Sequence, residues 1–350
     1  MAGCLSMQGY LPDTAFIPAH HLPGALIDLV QDQGIDTHRL FRHTSLFPER
    51  VIQGDAVATP REFLQLIHNS RQLFPDPELP FRYGQRLLPG HYGPISALLG
   101  QAGCLRDCLV AFNDYPALIS PLVGVRITLD DEYLCVQWLD SCGAGSHWPF
   151  LVESAMAGLA SVSQWLSHRP LPWQFQFSYR CPPWPEQYQV HLGERLHFER
   201  CMDAMLLPRH YLDMPWPRGA STGWQAARQQ CDQQIQQLGF AHSARQQLYR
   251  FLQQAITSPP TLQDVANHYG SSPATIKRRL KQQGCHYQRL LDEVRLHQAI
   301  LWIQFDGMTP DQVCRRLNFS DSTNFRRAFK RWSGLTPAAC HKILQALSGH

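Results

Sequence analysis

The stretch LNFSDSTNFRRAFKRWSG, Leu317–Gly334, has the apolar period of a helix that is buried along one side. At about 100° per residue, apolar residues recur here at i, i+3, i+4 and i+7. The buried stripe consists of Phe325, Ala328, Phe329 and Trp332. The opposite side carries Thr323, Asn324, Arg327, Lys330 and Arg331, with Arg326 on the flank.

Two good N-cap residues, Ser320 and Asp321, precede this stripe. Their side-chain oxygens can accept hydrogen bonds from the free N–H groups of a first helical turn, and an acid suits the positive helix end. We therefore predict a short helix from about residue 321 to 332. The periodicity alone leaves two interpretations of its cationic face, which either stays in water or meets a partner.

A related pattern lies upstream in TLQDVANHYGSSPATIKRRLKQQG, residues 261–284. Thr261 and Ser272 are predicted to cap two consecutive helices, and Gly270 supplies the turn between them. On the second helix Ile276 and Leu280 point inward. The residues that point away are Ala274, Arg278 and Lys281, with Lys277 at the side. This arrangement is typical of a helix-turn-helix unit.

The same plan returns about fifty residues later, in the segment that precedes the opening stretch. Thr309 and Gln312 form a capping-box start, Val313 and Leu317 supply the inward stripe, and Asn318 stands at the turn. The stretch HYQRLLDEVRLHQAILWIQF joins the two units and reads as one continuous helix. At 1.5 Å per residue, a helix of roughly 18 residues spans about 27 Å. That length approaches the ~34 Å between successive major-groove faces of B-DNA.

The charge of the chain is concentrated in this region. Residues 259–342 contain 13 Lys and Arg against 6 Asp and Glu, a net charge of +7, whereas the whole chain of 350 residues carries +3. A basic module joined to a slightly acidic remainder indicates that only the C-terminal part meets a polyanion.

Three segments together resemble the paired helix-turn-helix domain of the AraC/XylS family of bacterial transcription regulators. They are SSPATIKRRLKQQG, EVRL and NFSDSTNFRRAFKRWSGLTP, and the resemblance covers residues 259–342. The sequence departs from the family at Asn318, where Gly is usual, and at Cys314, where Ala is usual. Asn tolerates the left-handed conformation and Cys is only slightly larger than Ala, so neither change threatens the fold.

The resemblance implies which residues meet DNA. Base contacts are expected from Ala274, Lys277 and Arg278 on the first recognition helix, with Ser272 against phosphate and Lys281 on the same outward face. The second helix offers Ser322, Thr323, Asn324, Arg326 and Arg327, with Lys330 nearer the backbone. Arginine can pair with guanine and asparagine with adenine, whereas lysines add affinity without sequence information. Arg331 is expected to be a solvated charge.

The N-terminal half reads as an α+β domain of helices and a small, mainly antiparallel sheet. Helices are predicted at about 20–34, 59–74, 104–119 and 148–168, a hairpin at 125–140, and further strands at 173–179, 195–200 and 204–208. Residues 81–100, rich in Gly and Pro, are predicted to be short elements joined by turns. The predicted domains are 1–213, a linker with connector helices at 214–258, and 259–350.

This half resembles the N-terminal effector domain of the AraC-type subgroup that includes ornithine-responsive regulators, over roughly residues 21–217. The resemblance rests on residues 81–100, 104–119 and 188–217. It implies that the domain binds a small-molecule effector and that its fold is not a jelly roll. The pocket residues stay unknown. His91, Tyr92, Tyr115, Trp138, His147 and Trp148 either line a pocket or pack in the core. Residues 143–148 form either a loop that closes on a ligand or a strand-to-helix connection.

The expected function is a DNA-binding regulator, most simply an activator, that contacts promoter DNA and RNA polymerase and can form a homodimer. No catalytic motif, cofactor site or metal site is indicated, and the eleven cysteines contain no CxxC pair. We expect a cytoplasmic bacterial protein without membrane association. Two alternatives stay open: a dimerisation module without an effector, and a DNA-repair methyl acceptor that uses Cys104 and Cys108.

Overall fold

The computed structural model describes the backbone of residues 8–348 and the side chains as far as Ile343. The outer limits of the predicted domains, residues 1 and 350, lie outside this range. Contacts divide the chain after Ser243 into two compact units, which comprise residues 9–243 and residues 244 onwards. Within the described residues no helix is long and apolar enough to cross a membrane.

The N-terminal unit is α+β, as predicted. Its helices are α1 (Leu22–Gln31), α2 (Thr37–Leu40), α3 (Pro48–Gln53), α4 (Pro60–Leu73), α5 (Leu79–Leu87), α6 (Pro94–Gly100), α7 (Leu105–Asp114), α8 (Pro116–Ile119), α9 (Trp148–Ser167), α10 (Pro185–Leu192) and α11 (Ser221–Leu238). Its strands are β1 (Ile17–Pro18), β2 (Val57–Ala58), β3 (Val123–Leu129), β4 (Tyr133–Asp140), β5 (Gln174–Gln176), β6 (Leu196–His197) and β7 (Ala204–Pro208).

One five-stranded sheet has the order β3-β4-β7-β5-β6. All neighbours are antiparallel except β5 and β6, which are parallel. Helices α7 and α9 pack against β3. This arrangement of one sheet covered by helices is not the jelly roll of two packed sheets, as the resemblance implied.

The small residues of α9 are used inside this unit. A Cβ on Gly84 of α5 would lie 2.2 Å from the carbonyl oxygen of Ser154, and one on Gly158 of α9 would lie 3.1 Å from the carbonyl oxygen of Gly84. The two helices therefore approach so closely that a side chain at Gly84 would collide with the backbone of α9, and one at Gly158 would require the helices to move slightly apart. The small residues on this side of α9, which include Ser154, Ala157 and Gly158, therefore pack against α5 inside the unit.

Several short elements were not anticipated from the sequence. They are α2, α3, α10 and the β1–β2 pair, in which Ile17 lies opposite Ala58. The sequence of helix α10 has no apolar stripe from which the helix could be predicted, because Tyr188 is its one buried residue. Residues 143–148 are an ordered strand-to-helix connection, since the Asp140 carboxylate accepts hydrogen bonds from the backbone N–H groups of Cys142, Gly143 and Ala144 at 2.8–3.1 Å.

The C-terminal unit is all-α. Its helices are α12 (Ala244–Gln254), α13 (Leu262–His268), α14 (Pro273–Gln282), α15 (Tyr287–Gln304), α16 (Pro310–Arg316), α17 (Ser322–Ser333) and α18 (Pro337–Ser348). The joining helix α15 has the 18 residues predicted for it. It packs against α12, α16, α17 and α18.

The segment 214–258 is shared between the two units. Helix α11 packs against α6 and is tied to the N-terminal unit, where Tyr115 donates a hydrogen bond to Asp232 at 2.6 Å and Arg228 pairs with Asp114 at 3.1 Å. Helix α12 belongs to the C-terminal unit and buries Leu248 and Leu252. The limits 1–213, 214–258 and 259–350 stay a prediction, but these contacts divide the intended linker at residue 243.

Candidate nucleic-acid interface

The first helix-turn-helix unit is built by the local contacts that the sequence predicts. Thr261 accepts a hydrogen bond from the Asp264 N–H at 3.2 Å, and the Asp264 carboxylate accepts one from the Thr261 N–H at 2.8 Å. Gly270 has a φ of 56°, which makes the left-handed turn. Ser272 then caps α14 by accepting from the Thr275 N–H at 3.1 Å. At the start of each of the two helices, a backbone N–H group without a partner inside the helix thus finds an acceptor within a few residues.

Helix α14 buries one side and exposes the other. Ile276 and Leu280 are 0% and 2% exposed and anchor the helix in the core. The exposed residues include every predicted contact on this helix: Ser272, Ala274, Lys277, Arg278 and Lys281. Among the residues that the structure describes, none pairs with Lys277, Arg278 or Lys281. The face is therefore positively charged and available to a partner.

The second unit repeats this construction with different residues. Thr309 and Gln312 form the predicted capping box, in which the Gln312 amide oxygen accepts from the Thr309 N–H at 2.7 Å. Asn318 has a φ of 58° and takes the left-handed turn that Gly270 takes in the first unit. Cys314 is buried, 4% exposed, inside the continuous helix α16. Both departures from the family pattern are therefore accommodated.

Helix α17 follows the prediction made for the opening stretch. Asp321 is its N-cap, and Gly334 ends it in a left-handed conformation with a φ of 75°. Phe325 and Phe329 are 1% and 0% exposed. Trp332, expected in the core, is half-buried, and its ring centre lies 5.9 Å from that of Phe319. The aromatic stripe fixes the direction in which the opposite face points.

The predicted contact residues of α17 are brought together on that opposite face. Thr323, Asn324, Arg326, Arg327 and Lys330 are exposed, and Ser322 is half-buried. For Arg326, Arg327 and Lys330 no ion-pair partner lies among the described residues. The face of α17 is therefore positively charged and exposed, as is the face of α14.

One contact on this face was not anticipated. The Asn324 side-chain amide donates a hydrogen bond to the Asp321 carboxylate at 2.6 Å, and the Asn324 N–H donates to the other carboxylate oxygen at 2.7 Å. These donors, the backbone N–H first, hold the pKa of Asp321 below its usual range. Asp at the N-cap with Asn three residues later is the signal that could have revealed the contact.

Arg331 is distinguished from its neighbour Lys330 by a partner. Its guanidinium pairs with the Asp292 carboxylate of α15 at 3.2 Å. The side chain was expected to be a solvated charge, and it is 67% exposed while also joined to α15. The pair joins this exposed guanidinium to a carboxylate that is only 16% exposed, so water screens it on the arginine side only. The pair therefore separates Arg331 from the unpaired cationic side chains of this face.

The six side chains considered for an effector pocket are not gathered at one place. Trp138 packs edge-on against Phe112, with ring centres 5.9 Å apart. Trp148 donates to the Asp203 carboxylate at 2.8 Å. Tyr92 and Tyr115 are buried, His91 is exposed, and His147 lies beside His68 with ring centres 5.5 Å apart. They serve packing and local hydrogen bonding in different parts of the unit.

The two cysteines of the repair alternative are poor methyl acceptors. Burial raises the pKa of the Cys108 thiol far above its usual value, and burial also raises the pKa of Cys104. A methyl acceptor of this kind needs a thiolate held by zinc, and the described residues contain no group of three or more His, Cys, Asp or Glu side chains that could hold the metal.

Comparison with known proteins places both units in one class of regulator. Residues 34–216 match the family described as the arabinose-binding domain of AraC transcription regulator, N-term, and residues 265–342 match a helix-turn-helix domain family. The chain is 26% identical to the ornithine utilization regulator of Pseudomonas aeruginosa over 315 residues, which cover 90% of this chain and 93% of that protein.

Two mycobacterial proteins are also similar along most of their length. An uncharacterized HTH-type transcriptional regulator of Mycobacterium tuberculosis strain H37Rv is 26% identical over 353 residues, covering 95% of this chain and 98% of that protein. The transcriptional regulator VirS of the same species is 22% identical over 314 residues, covering 89% and 92%. With an effector-type N-terminal domain and a paired helix-turn-helix C-terminal domain, the chain belongs to the AraC/XylS family of bacterial transcription regulators.

Proposed function

We propose that this regulator binds promoter DNA in a sequence-specific manner through α14 and α17, and activates transcription. The observation that carries the proposal is the pair of exposed, unpaired cationic faces in one compact unit, joined by the 18-residue helix α15. Each face is opposite a buried stripe, so its direction is fixed by the core. A face built in this way can enter a major groove without unfolding any part of the unit.

Base reading is assigned to the residues that can form directional hydrogen bonds. In this proposal Arg278 on α14 and Arg327 on α17 pair with guanine O6 and N7, each contributing about 1–3 kcal/mol of discrimination. Asn324 suits adenine. Further contacts are proposed for Ala274, Lys277, Ser322, Thr323 and Arg326, with phosphate contacts for Ser272, Lys281 and Lys330. The lysines make binding salt-dependent.

The remaining parts of the proposal concern control. The N-terminal domain binds a small molecule and alters promoter occupancy or the contact with RNA polymerase, in a cytoplasmic, non-enzymatic protein that can act as a homodimer. The name of the Pseudomonas relative refers to ornithine utilization, so amino acids and their breakdown products are the first effector class to test. The alternative is an N-terminal domain that serves dimerisation alone. Thermal unfolding with candidate effectors separates the two, because an effector stabilises the native state as its concentration rises.

The test of DNA reading is the double variant Arg278→Ala/Arg327→Ala in the full chain. A binding site is first selected from random duplexes with the unmodified protein, and affinity is then measured by gel shift with competitor DNA. We expect the double variant to lose specific binding while its circular dichroism spectrum is unchanged. The matched control is Arg331→Ala, which removes one cation that already pairs with Asp292. Unchanged specific binding by the double variant would overturn the assignment of the reading faces.

A further inference from the structure

The largest cavity described in the N-terminal unit lies between the end of α4, the start of α9 and the segment that leads into α10. Its volume is about 380 Å³, within the size range of small-molecule sites. Most of its wall is aromatic or proline, including Phe74, Phe150 and Trp184. None of the side chains considered as pocket candidates from the sequence lines it.

One buried carboxylate lines this cavity. Glu153 of α9 is 8% exposed, and its Oε1 accepts hydrogen bonds from the hydroxyls of Tyr179, at 3.0 Å, and Tyr188. No described residue donates a hydrogen bond to Oε2. Oε2 is not one of the fully buried atoms without a partner, so it keeps accessible surface at the cavity, where a ligand group can reach it.

The neighbouring Asp203 shows the contrast within the same unit. It is 6% exposed, and it accepts hydrogen bonds at both oxygens, from the Ser178 N–H at 2.7 Å, the Ser178 hydroxyl at 2.8 Å and Trp148 Nε1 at 2.8 Å. Asp203 is a satisfied structural carboxylate. Glu153 is satisfied on one side only, and that difference marks it as a binding group.

The two hydroxyls that hold Glu153 are themselves fixed by packing. The ring of Tyr188 meets Phe81 and Phe177 edge-on, with ring centres 4.9 Å and 5.2 Å apart. The ring of Tyr179 lies 5.4 Å from Phe177. Because these aromatic contacts set the tyrosines, Oε1 is held and Oε2 has a defined position before any ligand arrives.

The charges around Glu153 complete the site. The titratable groups near it are Arg71, Asp76, His147, Tyr179, Tyr188 and Asp203. Asp76 lies 3.8 Å from the Arg82 guanidinium, and burial lowers the pKa of His147. Burial raises the pKa of Glu153 to about 7, against a smaller opposing effect of the tyrosine hydroxyls and the Arg71 charge. Glu153 is therefore the group that titrates near neutral pH.

We propose that this cavity is the effector site and that it binds a small organic amine, whose ammonium group pairs with Oε2 of Glu153. The carbon skeleton of the amine lies against the aromatic walls, which favour a cation through the negative faces of their rings. Arg71 lines the same cavity and has no carboxylate partner among the described residues, so an amine that also carries a carboxylate has a second anchor. The inference rests on the effector control proposed above.

The experiment measures binding of matched probes to the full chain by thermal shift and by isothermal titration calorimetry. L-ornithine and 1,4-diaminobutane are amines with and without a carboxylate, and 2-phenylethylamine is an aromatic amine. Their counterparts without an ammonium group are 1,4-butanediol for 1,4-diaminobutane, 2-phenylethanol for 2-phenylethylamine, and pentanoate for L-ornithine, since pentanoate keeps the chain and the carboxylate. We expect at least one amine to raise the melting temperature while its counterpart does not. If L-ornithine exceeds 1,4-diaminobutane, Arg71 provides the second anchor, and Arg71→Ala removes that advantage.

Glu153→Gln keeps the shape of the side chain and removes its charge, so it is expected to abolish amine binding. The affinity of the unmodified protein should be about tenfold higher at about pH 8 than at about pH 6, because the ionised fraction of Glu153 rises from about one tenth to about nine tenths. Trp184→Ala, at a residue that is 39% exposed, tests the wall without disturbing the core and should weaken binding.

Two results would overturn the proposal. In the first, the amines and their counterparts raise the melting temperature equally. In the second, no amine raises the melting temperature of the unmodified protein by more than it raises that of the Glu153→Gln variant. DNA affinity without any probe is measured on the same preparations by gel shift. Retained DNA binding together with absent amine binding rejects the site alone, whereas absent DNA binding rejects the proposed function.

Discussion

The two helix-turn-helix units share a capped first helix, a left-handed turn and a buried stripe, yet they hold their exposed side chains differently. On α14 the cap is the neutral Ser272, and the cations Lys277 and Arg278 have no partner among the described residues. On α17 the cap is the charged Asp321, which also binds the amide of Asn324. Lys277 and Arg278 on α14 thus make no ion pair with a described residue, whereas on α17 one side chain, Asn324, is already held in place by a hydrogen bond.

This difference has an energetic consequence for DNA binding. A side chain held by a neighbour loses less conformational entropy when it meets a base, but its existing hydrogen bond has to be exchanged. The Asp321 carboxylate also places a negative charge at the helix end that would approach phosphate. We therefore expect α14 to supply more affinity and α17 to supply more of the geometric discrimination.

The largest expected effect concerns the two arginines taken singly. Arg278→Ala should relax base preference in one half of the binding site and Arg327→Ala in the other, each at a cost of about 1–3 kcal/mol. Site selection with each variant, followed by affinity measurements on single-base substitutions, locates the loss. If both variants relaxed the same base pairs, the assignment of one helix to each half-site would be wrong.

An exchange of the two caps tests the contrast more directly. Asp321→Ser keeps a capping oxygen, frees Asn324 and removes a negative charge, so we expect tighter non-specific DNA binding. Ser272→Asp should weaken it in turn. Because Ser and Asp cap equally well, the stability of both variants should change little, whereas Asp321→Ala has no capping oxygen and should lower the melting temperature. Gel shifts on random duplexes measure the non-specific DNA affinity, and thermal unfolding measures the stability. If Asp321→Ser and Ser272→Asp bound DNA equally well, the proposed difference between α14 and α17 would be wrong.

The smallest effect separates the neighbours Lys330 and Arg331. Lys330→Ala should weaken binding to all sequences alike and reduce the slope of log affinity against log salt by about 0.9, as expected for one phosphate contact. Arg331→Ala breaks the pair with Asp292 and should leave that slope unchanged. Salt titrations of the two variants at one duplex make the comparison. A lower slope for Arg331→Ala would show that this residue also reaches the DNA.

The helix-turn-helix units could be predicted closely because their signals are local. Caps such as Thr309 with Gln312, and turns such as Asn318, are decided within a few residues of sequence. The contact between Asn324 and Asp321 is equally local, because the two residues lie three positions apart at the start of one helix. Local chemistry of this kind is readable in principle from the spacing alone.

The proposed effector site could not be predicted in the same way. Its carboxylate and hydroxyls come from Glu153, Tyr179 and Tyr188, and Arg71 comes from a helix more than eighty positions upstream of Glu153. Glu153 is the one charged residue of the mostly apolar helix α9, which indicates that it is buried, but the local sequence does not identify the tyrosines and the arginine that meet it. The aromatic residues that did look like pocket walls, such as Trp138, pack in the core. Aromatic side chains serve both purposes, so their type alone does not decide between them.

Helix α15 links the behaviour of the two faces that are proposed to contact DNA. Half of its 18 residues are buried, including Leu290, Val294 and Ile300, and the Tyr287 hydroxyl at its start donates a hydrogen bond to the Pro260 carbonyl oxygen just before α13. It also packs against α16 and α17. In a genetic screen, substitutions along its buried side should therefore behave as complete loss-of-function alleles, equivalent to deleting both halves of the operator. Alleles on either recognition face should instead be partial and suppressible by changes in the promoter.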